Sequence, residues 1–227
     1  MTLTLDAPID RFAPGQFVNL ALTLDGQLDK RAYSLASEPG QLLEFYVKQV
    51  GDGAFTPALF RLSPGATILV ERRPQGFFTL EYVPECREMW FIATGTGLGP
   101  FIALLRSAET WQRFERIVVV HGARYANELS YADEIAALSR KYSGRLKRIP
   151  VVSGEHAPDT IYGRVTDALR DGSLEESASL TLDGARSHVM LCGNPAMIQE
   201  MIALLGTKGL RKHRQRNPGH ITAEKYW

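Results

Sequence analysis

Cysteine is scarce in this sequence, and its two cysteines lie far apart. Cys86 and Cys192 are the only cysteines among 227 residues, and neither belongs to a Cys-x-x-Cys pair. This excludes a disulfide framework and gives no indication of an iron–sulfur or zinc site, because such sites need clustered cysteines. The five histidines also lack the spacing of metal ligands. We therefore expect no bound metal.

Long hydrophobic runs and an excess of charge of one sign are absent as well. No apolar stretch reaches the length of about 18 residues that a transmembrane helix needs. Residues 1–6 lack the basic and apolar regions of a signal peptide. The 26 Lys and Arg nearly balance the 25 Asp and Glu, so no general attraction to nucleic acid or membranes is expected. We expect a soluble, cytoplasmic monomer that binds neither.

Two regions of different periodicity divide the chain. Before about residue 80, apolar residues alternate as in half-buried strands, and Pro and Gly interrupt them at intervals typical of an antiparallel barrel or sandwich. After Pro84, continuous apolar segments such as 89–93 and 116–120 alternate with helical segments, which predicts a parallel sheet covered on both faces. The predicted fold class is therefore β + α/β, with an antiparallel β-barrel domain in residues 1–82 and a Rossmann-like parallel-sheet domain in 83–227.

Within the second region, the segments 101–112, 127–142 and 196–205 are predicted to be helices. Residues 171–186 are polar and poorly periodic, so they are predicted to be a connection.

A glycine-rich segment, Thr94-Gly-Thr-Gly-Leu-Gly-Pro100, follows a predicted buried strand and precedes a predicted helix. Glycines let the backbone approach a phosphate, and the following helix N-terminus favours negative charge. The spacing differs from the Rossmann Gly-x-Gly-x-x-Gly pattern. Taken alone, the segment is equally typical of a tight strand–helix turn.

Two further motifs lie in the first region. Arg31-Ala-Tyr-Ser34 offers a cation, an aromatic ring and a hydroxyl, which suit a phosphate and a flat ring system. Gly51-Asp-Gly-Ala-Phe-Thr56 offers backbone N–H groups and a hydroxyl to a second phosphate. The alternatives are an ordinary exposed strand for the former and a hairpin turn for the latter.

The C-terminal region contributes two more motifs. Leu191-Cys-Gly-Asn-Pro195 joins a predicted buried strand to a helix, where α/β sheets commonly bind ligands, although Cys192 alone is also typical of a small buried side chain. The chain ends Ala223-Glu-Lys-Tyr-Trp227, and its two terminal aromatics suggest contact with a flat surface, either of a ligand or of the protein itself.

These motifs, in this order, resemble those of the ferredoxin–NADP reductase family, specifically the bacterial ferredoxin/flavodoxin–NADP reductases that end in Tyr-Trp. The resemblance covers nearly the whole chain, including residues 120–125 and 218–227. It implies an FAD held mainly by the β domain and an NADP(H) held by the second domain. It also implies that NADPH passes a hydride to FAD, which then releases electrons singly to ferredoxin or flavodoxin.

The resemblance implies a set of FAD-contacting positions in both domains. Arg31 would meet the pyrophosphate, Tyr33 would stack on the isoalloxazine, and Tyr226 and Trp227 would cover the other flavin face and the adenine. The full set matches Arg31, Ala32, Tyr33, Ser34, Tyr46, Val47, Ala54, Phe55, Thr56, Thr96, Tyr226 and Trp227.

The NADP-contacting positions implied by the resemblance lie in the second domain. The adenosine and its 2′-phosphate match Ala123, Arg124, Ser153, Gly154 and Arg164, and the nicotinamide half matches Gly193, Asn194, Pro195, Ala196 and Met197. Four residues, Ser34, Cys192, Glu224 and Tyr226, would surround the point of hydride transfer as positioning groups, with Tyr226 moving aside for the nicotinamide.

Two departures from the family pattern affect these expectations. Ser153 is followed by Gly154 where close relatives carry arginine, so we expect a weaker preference for NADPH over NADH, which Gly154→Arg would strengthen. The family's β domain also usually begins with one more strand than residues 1–6 supply, so we expect either a lost strand or an earlier start of translation.

The basic segment Arg211-Lys-His-Arg-Gln-Arg216 has two interpretations. It would suit the docking of an acidic electron carrier, or it would be a solvated helix end. Two other functions also stay open, namely an NAD(P)H:flavin reductase or diaphorase, and a non-catalytic electron-transfer subunit with the same fold. The terminal aromatic pair argues against the former and the lack of clustered cysteines against the latter.

Overall fold

The computed structural model describes residues 1–226 and divides the chain into two compact units. The first unit contains Met1–Leu80 together with Gly99–Ser107, and the second contains Glu81–Leu98 together with the residues from Ala108 onward. Trp227 lies outside the described residues, and so does its predicted contact with the FAD adenine.

Antiparallel strands form the framework of the first unit, as predicted. Its strands are β1 (Thr2–Leu5), β2 (Phe17–Leu24), β3 (Gln27–Ser34), β4 (Leu43–Tyr46) and β5 (Leu69–Val70). β1 pairs with β4 in a two-stranded sheet, and β2 lies between β3 and β5 in a three-stranded sheet. Val18, Leu20 and Phe45 are fully buried between them, so the predicted alternation does mark a core-facing side.

A tight turn sets the register of β2 against β3. Asp25 and Gly26 both have positive φ, 49° and 76°, which is the conformation of a two-residue hairpin loop that matches strand twist. The resulting register places Val18 opposite Tyr33 and Phe17 opposite Ser34. The end of the Arg31–Ser34 motif is thereby fixed on the framework of the unit.

Two helices complete the first unit, α1 (Phe55–Phe60) and α2 (Gly99–Arg106). The Arg106 guanidinium anchors α2, because it donates to the Ala36 carbonyl oxygen at 2.9 Å and lies 3.2 Å from a Glu44 carboxylate oxygen.

A parallel sheet forms the centre of the second unit, which confirms the α/β prediction. The described strands run in the order β11-β10-β6-β7-β8-β9 and every pairing is parallel. The strands are β6 (Glu88–Thr94), β7 (Arg116–Ala123), β8 (Leu146–Val152), β9 (Ile161–Tyr162), β10 (Ser187–Gly193) and β11 (Ile221–Lys225). The helices are α3 (Ala108–Arg113), α4 (Ala132–Lys141), α5 (Val165–Arg170), α6 (Ser173–Ala178) and α7 (Pro195–Thr207).

Some element boundaries differ from the sequence prediction. The helix predicted over 101–112 is interrupted at Ser107, so α2 and α3 are separate helices. The polar connection predicted over 171–186 contains α6, whose Leu174 and Ala178 are spaced four residues apart and are both buried. A helix with only two core-facing positions is too short for periodicity to reveal. The basic segment 211–216 is not a helix end, because α7 already ends at Thr207.

No helix in the described part of the chain has the length and hydropathy required to cross a membrane. Within residues 1–226, no group of three or more His, Cys, Asp or Glu side chains is arranged to hold a metal ion.

Candidate active site

The carboxyl ends of the parallel strands bring the predicted second-unit residues to one edge of the sheet. β6 ends at Thr94, β7 at Ala123, β8 at Val152, β10 at Gly193 and β11 at Lys225. In open parallel sheets this edge is where ligands bind, because the loops after the strands converge there.

Two glycines at this edge permit very close backbone contacts. A β-carbon at Gly97 would lie 2.5 Å from the Cys192 carbonyl oxygen, and one at Gly193 would lie 2.3 Å from the Thr94 hydroxyl oxygen. Gly193 also has φ +130°, which side-chain-bearing residues rarely adopt. The glycine-rich loop and the Cys192–Asn194 segment are therefore packed directly against each other.

Asn194 connects this contact to α7. Its backbone N–H donates to the Thr94 hydroxyl at 2.9 Å, while its side-chain oxygen accepts from the N–H groups of Ala196 and Met197 at 2.8 and 3.2 Å. This is an N-cap, with Pro195 in the first helical position where its missing N–H costs nothing. The predicted nicotinamide segment, residues 193–197, is thus a fixed strand–cap–helix unit.

Cys192, Glu224 and Tyr226 come together on the two neighbouring strand ends. Cys192 is paired in register with Glu224, and the Tyr226 side chain hydrogen-bonds the Cys192 thiol. The Tyr226 N–H also donates to the Gly193 carbonyl oxygen at 3.1 Å. Three of the four residues predicted at the point of hydride transfer are therefore in mutual proximity. The fourth, Ser34, belongs to the first unit.

Burial shifts the acidic groups of this cluster towards their uncharged forms. Cys192 is fully buried, which raises the pKa of its thiol well above the ordinary value, with the neighbouring Glu224 carboxylate adding to the effect. Burial also raises the pKa of Glu224 to about 7. Among the described residues, Glu224 Oε2 has no hydrogen-bond partner although it is buried.

His121 was not singled out by the sequence, yet it holds the glycine-rich loop. Its ring is fully buried at the end of β7, and Nε2 lies 3.0 Å from the Gly95 carbonyl oxygen. Burial lowers the pKa of His121 to about 4, so the ring is neutral near pH 7 and Nε2 carries the proton that it donates to Gly95. The signal available in the sequence was a polar residue within an otherwise apolar strand.

The residues predicted for the adenosine half of NADP also lie together. The Ser153 N–H donates to the Ala123 carbonyl oxygen at 3.1 Å, and the Gly154 N–H donates to the Arg124 carbonyl oxygen at 2.7 Å. Arg164 follows β9, which pairs with β8 just before Ser153. Arg124, Ser153 and Arg164 are all exposed, so two guanidinium groups and a hydroxyl are accessible at this end of the edge.

The β-carbon position of Gly154 lies close to Arg124, which bears on the substitution Gly154→Arg. A β-carbon there would lie 2.6 Å from the Arg124 carbonyl oxygen and 2.9 Å from Arg124 Cγ. A side chain at this position would displace Arg124, one of the two arginines of the same cluster. Gly154 itself is exposed, so the expectation that an arginine here would strengthen the preference for NADPH stays a prediction.

In the first unit, Tyr33 joins the three predicted flavin-binding stretches. Its ring centroid lies 6.5 Å from that of Phe45 in an edge-on arrangement and 6.0 Å from that of Phe55. These contacts connect the Arg31–Ser34 motif with β4 and with the 51–56 loop. The Tyr33 ring is half-buried, and burial raises the pKa of its hydroxyl to about 12, so the ring is neutral.

Arg31 is an accessible cation beside Tyr33. Its Nη1 lies 2.6 Å from an Asp29 carboxylate oxygen and donates to the Lys30 carbonyl oxygen at 2.9 Å. The side chain nevertheless remains 58% exposed. Ala32 is also exposed, whereas Ser34 is buried.

Hydrogen bonds to Val50 close the predicted phosphate loop. Thr56 Oγ1 accepts from the Val50 N–H at 2.8 Å, and the Gly53 N–H donates to the Val50 carbonyl oxygen at 3.3 Å. The Phe55 side chain is buried, so at that position only the backbone is accessible to a ligand, while Ala54 is exposed.

The remaining predicted first-unit positions lie at the end of β4. Tyr46 is half-buried and its β-carbon would be 3.6 Å from a β-carbon at Gly99, the first residue of α2. Val47 is buried, and its backbone bonds Met1 in both directions at 2.7 and 2.9 Å. In the second unit, Thr96 is half-buried within the glycine-rich loop.

Comparison with known proteins matches both units. The oxidoreductase FAD-binding domain family matches residues 1–80, and the oxidoreductase NAD-binding domain family matches residues 91–202. The chain is 42% identical over 228 residues to the flavodoxin/ferredoxin–NADP reductase of Escherichia coli strain K12, covering 100% of this chain and 92% of the relative. It is 35% identical over 225 residues to the ferredoxin–NADP reductase of Pseudomonas aeruginosa, covering 95% and 86%.

A solved structure agrees with these relatives. The ferredoxin NADP+ reductase of Neisseria gonorrhoeae, a structure with bound FAD and NADP, superposes with a TM-score of 0.91 at 28% identity, covering 100% of this chain and 92% of the other. The full-length match to several reductases, on top of the fold and the clustered residues above, shows that this chain belongs to the ferredoxin/flavodoxin–NADP reductase family.

Proposed function

We propose that this protein is an FAD-dependent oxidoreductase that passes electrons from NADPH to ferredoxin or flavodoxin. The observation that carries the proposal is the assembly of Cys192, Glu224 and Tyr226 beside the glycine-rich loop at the carboxyl edge of the parallel sheet. The named relatives are reductases for these carriers, and the structural relative binds FAD and NADP.

The accessible groups of the first unit fit a flavin dinucleotide. Arg31 offers an exposed cation for a pyrophosphate, Tyr33 offers a neutral ring for stacking, and the loop before Thr56 offers backbone N–H groups for phosphate. We propose that these residues, with Ala32, Ser34, Tyr46, Val47, Ala54 and Phe55, hold the FAD. The bound flavin supplies the chemistry, since it accepts a hydride and releases electrons one at a time.

The second unit fits a nicotinamide dinucleotide. Glu224 Oε2 is a buried oxygen without a hydrogen-bond partner among the described residues. Such an atom can form a hydrogen bond with a polar group of a ligand. We propose that residues 193–197 orient the nicotinamide half and that Cys192 and Glu224 present polar groups to it. Arg124, Ser153 and Arg164 would hold the phosphorylated adenosine.

We propose the functional division of the chain at residues 82 and 83, with FAD held mainly before it and NADP after it. The matched FAD-binding and NAD-binding families, residues 1–80 and 91–202, lie on either side of this division. Thr96 and Tyr226 are proposed to contact the flavin from the second part of the chain. We further propose a cytoplasmic, monomeric enzyme, and size-exclusion chromatography with light scattering tests the latter.

We propose that the basic segment guides the acidic electron carrier. Arg214 and Asn217 exchange backbone hydrogen bonds at 3.1 and 2.8 Å, so the segment is a closed hairpin. It exposes Arg211, Lys212, Arg214 and Arg216 to solvent. The segment precedes β11, and Glu224 lies within β11, three residues or about 10 Å after the first residue of the strand. At that separation its charges would act mainly by steering the encounter.

Steady-state kinetics with a flavodoxin or a ferredoxin test both parts of the proposal. NADPH should support reduction of the carrier, and failure with both carriers would contradict the proposed function. At low salt, the double variant Arg214→Glu/Arg216→Glu should have a lower kcat/KM for the carrier than wild type, with kcat retained. At high salt the difference in kcat/KM should become smaller.

The matched control is Arg116→Glu/Lys147→Glu, which makes the same charge change at the beginnings of β7 and β8, three and four strands away from β11. Reduction of ferricyanide by NADPH should be equal in all three proteins. Equal loss of carrier reduction in the control would show that net charge matters and the hairpin does not.

A further inference from the structure

His156 is the exposed histidine of this chain, and it stacks on an exposed tyrosine. The His156 and Tyr162 ring centroids lie 3.9 Å apart with an interplanar angle of 21°. The other four histidines are buried or half-buried. Two aromatic side chains that stack at the surface are held in place by each other, so the imidazole has a preferred orientation without being removed from water.

The pair lies beside the proposed adenosine site. Tyr162 is paired in register with Val152, the last residue of β8, and Ser153 follows directly. Arg164 is two residues beyond Tyr162. His156 follows Ser153 by three residues in the same loop. The stacked rings therefore stand at the strand ends that present the hydroxyl and one of the two arginines.

The charged side chains near His156 either accept hydrogen bonds from the loop after β7 or lie exposed beside the histidine. Glu155 accepts from the Ala126 N–H at 2.7 Å, and Glu128 accepts from the Arg124 N–H at 3.1 Å, so both carboxylates are bound to the loop after β7. The Arg124 guanidinium lies 5.4 Å from the centroid of the Tyr125 ring. Asp159 is exposed in the loop between His156 and Tyr162, and Arg164 is exposed after β9.

Residue 154 is a glycine and contributes no cation. The side chains that remain to contact an additional phosphate are those of Arg124, Arg164 and His156. The imidazole of His156 is charged only when it is protonated. A protonated imidazole would donate a charge-assisted hydrogen bond to a phosphate dianion.

We propose that His156 is a specificity-determining residue that recognises the 2′-phosphate of the nucleotide in its protonated form and makes the preference for NADPH over NADH depend on pH. The proposal rests on the proposed function. The ligand class is an adenosine nucleotide phosphorylated at the 2′ position, and Tyr162 is the residue that orients the imidazole.

Nucleotide binding to the FAD-loaded protein tests the proposal without turnover. The probes are adenosine 2′,5′-bisphosphate and adenosine 5′-monophosphate, with dissociation constants measured by calorimetry at several pH values between 8 and 6.5. This range lies above the second phosphate pKa of about 6, so the phosphate itself stays largely dianionic. The ratio of the two constants should widen about tenfold towards pH 6.5, the size of one charge-assisted contact.

Two variants separate the histidine from the rest of the site. His156→Gln should bind the bisphosphate with a ratio that changes little over the same pH range. Tyr162→Phe keeps the stacked ring and should retain the wild-type pH dependence. In wild type, the bisphosphate should raise the titration midpoint of the His156 ring proton in nuclear magnetic resonance spectra, and the monophosphate should not.

Failure of the His156 proposal and failure of the proposed function give different experimental results. If His156→Gln keeps the full pH dependence, or if the His156 ring proton titrates identically with both nucleotides, His156 has no part in recognition while the reductase assignment stands. If wild type binds neither nucleotide at any pH, the proposed function itself is contradicted.

Discussion

Gly97 lies directly against Cys192: a β-carbon on Gly97 would be 2.5 Å from the Cys192 carbonyl oxygen and 2.6 Å from its carbonyl carbon. Neither atom belongs to a flexible side chain, so a larger residue at position 97 must move one of the two segments. The glycine-rich loop and the strand end that carries the proposed nicotinamide contacts are therefore mechanically coupled.

Gly97→Ala tests this coupling. The methyl group should push the loop away from the end of β10, raising KM for NADPH and lowering kcat, and should lower the melting temperature by a few degrees. Gly206→Ala is the matched control. Nothing lies within 4 Å of its β-carbon position inside α7, so the same substitution should stabilise the helix by up to about 1 kcal/mol without changing kinetics. Wild-type kinetics in Gly97→Ala would contradict the coupling.

Arg31→Ala tests the proposed contact with the FAD pyrophosphate. Loss of a charge-assisted contact of roughly 1.5–3 kcal/mol should weaken FAD binding about tenfold or more, while the fold is kept because the side chain is exposed. The measurement is the flavin content after gel filtration and the FAD dissociation constant. Lys30→Ala removes the same charge from the adjacent exposed position and should retain its flavin. Equal flavin occupancy in Arg31→Ala and wild type would remove Arg31 from the site.

Glu224→Gln tests the buried carboxyl group through the pH dependence of stability. The native pKa of Glu224 is raised from 4.5 to about 7, so the unfolded chain loses this proton first as the pH rises. The contribution of Glu224 to the free energy of unfolding should therefore fall as the pH rises from 4.5 to 7, by up to about 3 kcal/mol. Glu224→Gln should abolish that part of the slope in urea unfolding, and Glu176→Gln, at an exposed position, should not. An unchanged slope in Glu224→Gln would show that the carboxyl group is already ionised in the native protein.

The two fully buried histidines predict the opposite trend in acid. Burial lowers the pKa of His121 to about 4 and, together with the nearby His213 and His220, that of His188 to about 3. Below pH 6.5 the unfolded chain takes up these protons and the native chain does not. Each histidine should then lower the free energy of unfolding by about 1.4 kcal/mol for each unit by which the pH falls.

Between pH 6.5 and 4.5 the two histidines outweigh Glu224, so stability should fall on acidification at a net rate of about 1.4 kcal/mol per pH unit. Urea unfolding at several pH values measures the slope. His188→Gln should reduce it, because the buried ring of His188 no longer has to stay unprotonated in the native chain. A slope that does not respond to His188→Gln would contradict the neutral, buried state of this ring.

Periodicity predicted both sheet types and the placement of the glycine-rich segment and of Leu191–Pro195 between a strand and a helix, because strand alternation and glycine-rich strand ends leave local signals. What could not be predicted depends on contacts between distant segments. Gly154 was interpreted as a missing arginine, and the close approach of its β-carbon position to Arg124, thirty residues earlier, left no signal in the sequence. His121 gave no motif of its own, because its role depends on the Gly95 carbonyl group in the glycine-rich loop after β6.

Anaerobic titration of the FAD-loaded protein with NADPH tests the central claim most directly. The account predicts that NADPH bleaches the visible absorbance of the oxidised flavin and that added oxidised flavodoxin or ferredoxin restores it. A protein that does not bind FAD on reconstitution, or whose flavin absorbance is unaffected by NADPH, would contradict it.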